Sequence, residues 1–93
     1  MRNIIGFVKK IFRKQKNGSK CWVNVGEIKV NPEWRKTRIG KAKFRRKLDY
    51  WYLTGEFQSD IILDKDFNLL DGYSSVRIAE TRGVSKVPVY FAD

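Results

Sequence analysis

The sequence contains no histidine, and its single cysteine is Cys21. Without histidine, the chain lacks the usual general base and every catalytic triad that is built on one. One cysteine excludes an internal disulfide, and a zinc site would need more thiolates than the chain has. These absences argue against zinc chemistry and histidine-dependent catalysis, and they make a reducing, cytoplasmic setting the expectation.

Long apolar runs are missing as well. No stretch approaches the roughly 18 apolar residues that a membrane span needs, and the N-terminus lacks the apolar core and cleavage site of a signal peptide. The 93 residues suffice for one domain. A hydrophobic content of 42% is too high for a disordered chain, so we expect a soluble, globular domain.

Positive charge is what the sequence has in excess, with 20 Lys and Arg against 10 Asp and Glu, a net charge of +10. The excess is uneven along the chain. Residues 1–20 carry seven basic residues and no acid, residues 21–57 carry nine basic and four acidic residues, and residues 58–93 carry four and six. A cationic first part suits a polyanion, either nucleic acid or an anionic membrane; a basic surface with no dedicated partner is the alternative.

Residues 1–20 form a basic amphipathic segment ahead of a domain that we assign to residues 21–93. Residues 2–14 have helical periodicity, and their apolar stripe consists of Ile4, Ile5, Phe7, Val8, Ile11 and Phe12. Because so short a helix is marginal alone in water, we expect the stripe to pack on the domain or on a second copy. The alternative is peripheral contact with a membrane surface through Ile4, Phe7, Val8, Ile11 and Phe12, which a helix with this composition suits.

The domain itself alternates strand and helix patterns. Strand patterns occur at residues 21–30, 60–70 and 87–91, the middle one as a hairpin, and helical spacing occurs at residues 41–53 and 73–82. We therefore expect an α/β (α+β) domain in which two short helices pack on a small mixed sheet. Its predicted core consists of Phe44, Leu48, Trp51, Ile61, Leu63, Leu70, Val76, Ala79 and Val89.

The last strand contains a proline, and residues 33–40 form a polar segment that we expect to be a loop. Because proline cannot donate to a ladder, Pro88 favours an edge position for the strand at residues 87–91. The Asn31-Pro32 pair ends the first strand as a turn.

The order of these elements, over residues 23–91, resembles the ParB/sulfiredoxin-like domain family. The family's opening strand and NP turn correspond to residues 27–32 here. Its "liDG" turn, the alanine and glycine of its short helix, and its "vPv" strand correspond to Leu69 to Gly72, Ala79, Gly83 and Val87 to Val89. Each motif alone is weak, and their shared order and spacing carry the resemblance.

Two positions depart from the family and bear on function. ParB-like proteins place an arginine three residues after the DG glycine, where it holds nucleotide phosphate, but this chain has Ser75 there. Sulfiredoxins place their reactive cysteine directly after that glycine, where this chain has Tyr73. The resemblance therefore implies the fold without nucleotide hydrolysis or sulfiredoxin chemistry. Arg77 is a candidate substitute for the missing phosphate contact.

Two stretches are candidate sites. Residues 35–47 contain eight cations, which suit a phosphate backbone, and the candidate nucleic-acid contacts are Arg35, Lys36, Arg38, Lys41, Lys43, Arg46 and Lys47. A solvated helix face is the alternative, supported by an Arg45–Asp49 pair at i, i+4. The start of the second helix is a candidate phosphate cradle formed by Gly72, Tyr73, Ser74, Ser75 and Arg77; here the alternative is an ordinary cap, provided by Asp71 or a serine.

No metal or cofactor is expected, because the aspartates near the hairpin occur where turns ordinarily use them. The sequence thus predicts a non-catalytic, ParB-like accessory protein that binds nucleic acid, with DNA ranked ahead of RNA, through a basic face. Two alternatives stay open. One is a ParB-like nuclease or nucleotide-dependent enzyme, and the other is a protein-interaction module that blocks or recruits a nucleic-acid-handling partner.

Overall fold

The structure is a computed structural model that describes residues 20–92. The basic segment before Lys20, including its predicted helix and its predicted membrane contacts, lies outside the described residues. The strands are β1 (Cys21–Asn24), β2 (Ile61–Leu63), β3 (Leu69–Asp71) and β4 (Lys86–Phe91), and the helices are α1 (Pro32–Arg35), α2 (Lys41–Thr54) and α3 (Tyr73–Arg82). The predicted mixed α/β class is confirmed.

The four strands form one sheet in the order β1-β4-β2-β3, in which only β2 and β4 run parallel. The prediction that Pro88 marks an edge strand is wrong, because β4 lies between β1 and β2. Pro88 stands opposite Trp22 of β1, and its neighbour Val89 is in register with Ile61 of β2. A proline removes only its own donor, so the rest of the strand keeps partners on both sides.

Both longer helices end at glycines with left-handed backbone angles, one or two residues after the helical spacing in the sequence stops. Gly55 follows α2 with φ 77° and Gly83 follows α3 with φ 73°, a conformation that glycine adopts without steric cost. After α3, the amide of Val84 donates to the carbonyl of Ala79 at 2.9 Å. No helix within residues 20–92 is long and apolar enough to cross a membrane.

The first strand and the following loop differ from their predictions. The extended run stops at Asn24, because residues 25–27 form a single 3₁₀ turn. Lys29 then pairs with the hairpin: its amide donates to the carbonyl of Phe67 at 2.9 Å, and its carbonyl accepts from the amide of Leu69 at 2.8 Å. Residues 32–35 form α1 rather than loop, because Asn31 caps the amide of Glu33 at 2.8 Å and proline suits the first helical position.

The core lies between α3 and one face of the sheet. Its fully or nearly buried members are Val23, Ile28, Ile61, Leu63, Leu69, Val76, Ala79, Val87 and Val89. Burial is thus confirmed for five of the predicted residues, namely Ile61, Leu63, Val76, Ala79 and Val89.

The prediction is wrong for Phe44, Leu48, Trp51 and Leu70, which are only partly buried. None of the residues in α2 is buried, because this helix packs beside α3 rather than on the sheet. Its apolar spacing therefore indicates a half-covered face and not a core face. Trp51 illustrates this arrangement by stacking on Phe57, with ring centroids 6.3 Å apart, near the surface.

Candidate nucleic-acid interface

The site begins at the turn between β3 and α3, where the chain passes very close to β2. Gly72 has φ 91°, and a Cβ atom at this position would lie 2.8 Å from Cα of Ile61 and would also collide with the carbonyl oxygen of Asp60. Both obstacles are backbone atoms, which cannot move aside cheaply. Glycine is therefore required at position 72 for α3 to start against the sheet.

Replacing this glycine tests that requirement. We expect Gly72→Ala to destabilise the domain by at least about 1–2 kcal/mol, because it combines a left-handed backbone with overpacking. Chemical denaturation of the two proteins measures the difference. Gly83→Ala is the matched control, since its φ is also positive but no atom lies within 4 Å of the added Cβ; equal losses for the two variants would show that the close approach is unimportant.

The first turn of α3 presents backbone amides that no side chain caps. The amides of Ser75 and Val76 donate to the carbonyl of Gly72 at 3.1 and 3.2 Å, whereas the carboxylate of Asp71 accepts from the amide of Gly72 at 2.9 Å. Asp71 therefore organises the turn before the helix instead of capping it. The amides of Tyr73 and Ser74 are therefore available to donate to a ligand in the cleft in front of the helix, where the helix dipole favours an anion.

Lys47 of α2 reaches this helix start. Its ammonium donates to the hydroxyl of Ser59 at 2.6 Å and to the hydroxyl of Ser74 at 3.2 Å. Partial burial and the nearby Lys43 lower the pKa of Lys47, and the carboxylate of Asp71 opposes that shift. The two candidate stretches, which are far apart in sequence, thus meet around this lysine.

The space between them is a cleft of about 340 Å³, which we call the α2–α3 cleft. Arg38, Lys43 and Lys47 line it from one side, and Gly72, Tyr73 and Ser74 line it from the other. An adjoining cleft of about 530 Å³ shares Arg38 and Tyr73 and adds Arg35, Lys41 and Arg77. Among the described residues, Asp71 is the only acidic residue that lines either cleft.

The predicted contact residues differ in whether their charged groups already make ion pairs or hydrogen bonds. Lys36 lies 3.5 Å from Glu33, and Lys47 is held by two serines. Arg38, Lys41 and Lys43 line the clefts and have no ion pair within residues 20–92, and Arg46 is exposed on α2 outside both clefts. The alternative interpretation of residues 35–47 as a solvated helix face predicted an Arg45–Asp49 pair. This pair is confirmed, with a distance of 3.2 Å.

Arg35 and Arg77 share one carboxylate. Arg35 makes a bidentate pair with Glu80, with both N–O distances 2.8 Å, and it stacks over the ring of Tyr73. Arg77 donates to the same carboxylate at 2.9 Å. The hydrogen bond to Glu80 raises the pKa of Arg35, and the two guanidinium groups lower the pKa of Glu80. This cluster fixes α1 against α3, so both arginines serve the fold as well as lining the cleft.

The Glu80 cluster predicts a contribution to stability that depends on pH. Because the folded-state pKa of Glu80 lies below its ordinary 4.5, the contribution is fully present above pH 4.5 and is lost as pH falls through the lowered value. We expect Glu80→Gln to be less stable than wild type at neutral pH, by at most about 1 kcal/mol for partly exposed pairs, and the gap to narrow in acid. Urea denaturation at several pH values measures it.

The control for this experiment is Glu27→Gln, which removes an exposed carboxylate that has no ion pair within residues 20–92. A Glu80→Gln penalty that stayed constant from neutral pH into acid would contradict the assignment.

Sequence reasoning missed Ser59 and misjudged Ser75. Ser75 is buried, and its hydroxyl donates to the carbonyl of Ser59 at 2.6 Å, so the hydroxyl serves the packing of α3 rather than the cleft. Ser59 supports both α3 and Lys47 from a polar turn that carries no distinguishing signal in the sequence. Within residues 20–92, no group of three or more His, Cys, Asp or Glu is placed to hold a metal ion.

Comparisons with known proteins identify the fold. No protein-family model matches the chain, and no curated protein sequence is significantly similar to it. Two solved structures of a pNOB8-like ParB N-domain superpose on it with TM-scores of 0.66 and 0.64, at 17% and 20% sequence identity. Each match covers 81% of this chain and 30% or 27% of the other chain. The resemblance to the ParB-like fold, inferred from motif order, is therefore confirmed.

A third similar structure is a variant of a free serine kinase in complex with AMP. It has a TM-score of 0.65 and 12% identity, and the match covers 90% of this chain and 35% of the kinase chain. The chain thus spans about a third of the length of these structures, and what it shares with them is the fold.

Proposed function

We propose that this ParB-like chain binds the phosphate backbone of nucleic acid through the α2–α3 cleft and the adjoining cleft. The observation that carries the proposal is the group of cleft cations that lack ion pairs within residues 20–92: Arg38, Lys41 and Lys43. Cations without local partners release condensed counterions when they meet phosphates, which makes such binding favourable and dependent on salt.

The opposite wall of the cleft supports the same proposal. The uncapped amides at the start of α3 and the ammonium of Lys47 converge within a space of about 340 Å³. Amides at a helix start are suited to one phosphate group, and the flanking cations suit the neighbouring phosphates of a polymer. In this proposal the chain has no catalytic role, and DNA ranks ahead of RNA.

Fluorescence anisotropy with labelled single- and double-stranded DNA and RNA, at several salt concentrations, tests the proposal. Binding that weakens linearly on a log–log plot against salt is expected, with a slope set by the number of phosphates contacted. An absence of binding to all four probes at low salt would contradict the proposal and favour a protein partner.

Nucleotide binding is the second candidate function, favoured by the uncapped start of α3 and by the AMP in one similar structure. The serine at position 75 weighs against it, because the family's phosphate-holding arginine is missing there. Adding AMP or nucleoside triphosphates with Mg²⁺ to the anisotropy assay separates the two: competition at micromolar nucleotide favours the second candidate, and its absence favours a polymeric ligand.

A further inference from the structure

Two cations of the adjoining cleft, Arg35 and Arg77, differ from its other cations because one carboxylate already holds them both. Arg35 makes a bidentate pair with Glu80 at 2.8 Å for each contact, and Arg77 donates to the same carboxylate at 2.9 Å. Both arginines line the cleft, and Glu80 does not. Glu80 therefore holds, from outside the cleft, two guanidinium groups that a ligand inside the cleft would meet.

The carboxylate of Glu80 offers these arginines the acceptor geometry of a phosphate. Carboxylate and phosphate both accept two parallel N–H bonds from the planar fork of a guanidinium group. Glu80 thus takes on Arg35 the bidentate position that a phosphate oxygen pair would take. Because one carboxylate serves two arginines, the cluster keeps an excess positive charge that attracts a further anion.

The cluster is also accessible to a ligand. The side chains of Arg35 and Arg77 are each 41% exposed, and ion pairs with this much solvent contact contribute little to stability. Arg38 lines both clefts, so a polymer bound at Arg38 would bring its neighbouring phosphates to the cluster at a high effective concentration. The ring of Tyr73, whose centroid lies 5.8 Å from the guanidinium carbon of Arg35, supports that arginine independently of Glu80.

We propose that Glu80 competes with a nucleic-acid phosphate for Arg35 and Arg77. The inference rests on the proposed function and adds two contacts to it that an internal carboxylate holds back. Nucleic acid that occupies both clefts displaces Glu80 from one or both arginines, and this exchange lowers the affinity of the wild-type chain.

Glu80→Gln in the full chain tests the inference, because it removes the charge of the competitor and keeps its shape. Anisotropy titrations with a labelled DNA duplex at several salt concentrations measure the effect. We expect severalfold tighter binding than wild type at low salt. We also expect a log–log slope steeper by up to about 1.8, because each of two added phosphate contacts contributes roughly 0.9.

Two further variants locate the effect. Asp49→Asn is the matched control, since it makes the same change of charge and releases Arg45, which lines neither cleft; its slope should stay near that of wild type. In an Arg77→Gln background, the slope increase caused by Glu80→Gln should fall by about half, because only one of the two contacts remains to be released. Urea denaturation of every variant checks that the chains compared are folded.

Three results would overturn the inference. Unchanged binding by Glu80→Gln would mean that the two arginines serve only the fold, and weaker binding would mean that Glu80 positions them for the ligand. An equal gain for Asp49→Asn would mean that net charge alone is responsible. Each of these results leaves the proposed function intact as long as wild type binds, whereas an absence of binding by both wild type and Glu80→Gln at low salt would remove both proposals.

Discussion

Replacing Arg38, Lys41 and Lys43 together with alanine is expected to weaken nucleic-acid binding strongly and to flatten its dependence on salt. Each lost phosphate contact reduces the log–log slope on duplex DNA by roughly 0.9, so three contacts reduce it by up to about 2.7. The affinity loss should be largest at low salt, because released counterions are worth most there. Anisotropy titrations at several salt concentrations measure both quantities.

A second triple variant separates a local interface from general charge. Lys29, Lys65 and Lys86 carry the same total charge but line neither of the two basic clefts. Their replacement with alanine should leave most of the slope intact. If both triple variants lowered the slope equally, nucleic acid would be attracted to the net charge of the chain and not to the clefts. If the cleft variant behaved as wild type, residues 35–47 would be a solvated face.

Leu63→Ala is expected to cost about 2–5 kcal/mol of unfolding free energy, because it leaves a cavity at a fully buried position. Leu48→Ala removes the same atoms from a partly buried position on α2. Its cost should be only about 1 kcal/mol, in proportion to the area it buries. Urea denaturation of the two variants and wild type measures the difference.

This pair isolates burial, since the chemistry of the substitution is the same. A loss for Leu48→Ala as large as that for Leu63→Ala would mean that α2 belongs to the core after all. A small loss for both would mean that the sheet and α3 do not carry the stability of the domain.

The sequence predicts the elements of this fold well where local chemistry determines them. The glycines that end helices and the Asp71-Gly72 turn act through their own backbone angles, and the local sequence is sufficient to predict those angles. Whether a side chain is buried depends less on the local sequence. The spacing of Phe44, Leu48 and Trp51 identifies an apolar face, but whether that face meets the sheet or only α3 depends on how the layers pack.

The candidate site likewise combines features that the local sequence predicts with features that depend on tertiary packing. The basic run at residues 35–47 and the helix start at Gly72 are visible separately, but their meeting around Lys47 depends on tertiary structure. The capture of Arg35 by Glu80, 45 positions away, likewise has no local signal. The position of Pro88 was misjudged because proline disfavours central strands on average, whereas β4 tolerates the loss of one donor.

Chemical-shift mapping of the isotope-labelled full chain with a short DNA duplex at low salt tests the central claim most directly. Phosphate binding in the cleft predicts that the largest shifts occur at the backbone amides of Tyr73 and Ser74 and at the first turns of α2, and that they reverse when salt is raised. Shifts confined to the surroundings of Trp22 on β1, or spread evenly over the basic residues without involving the start of α3, would contradict the account.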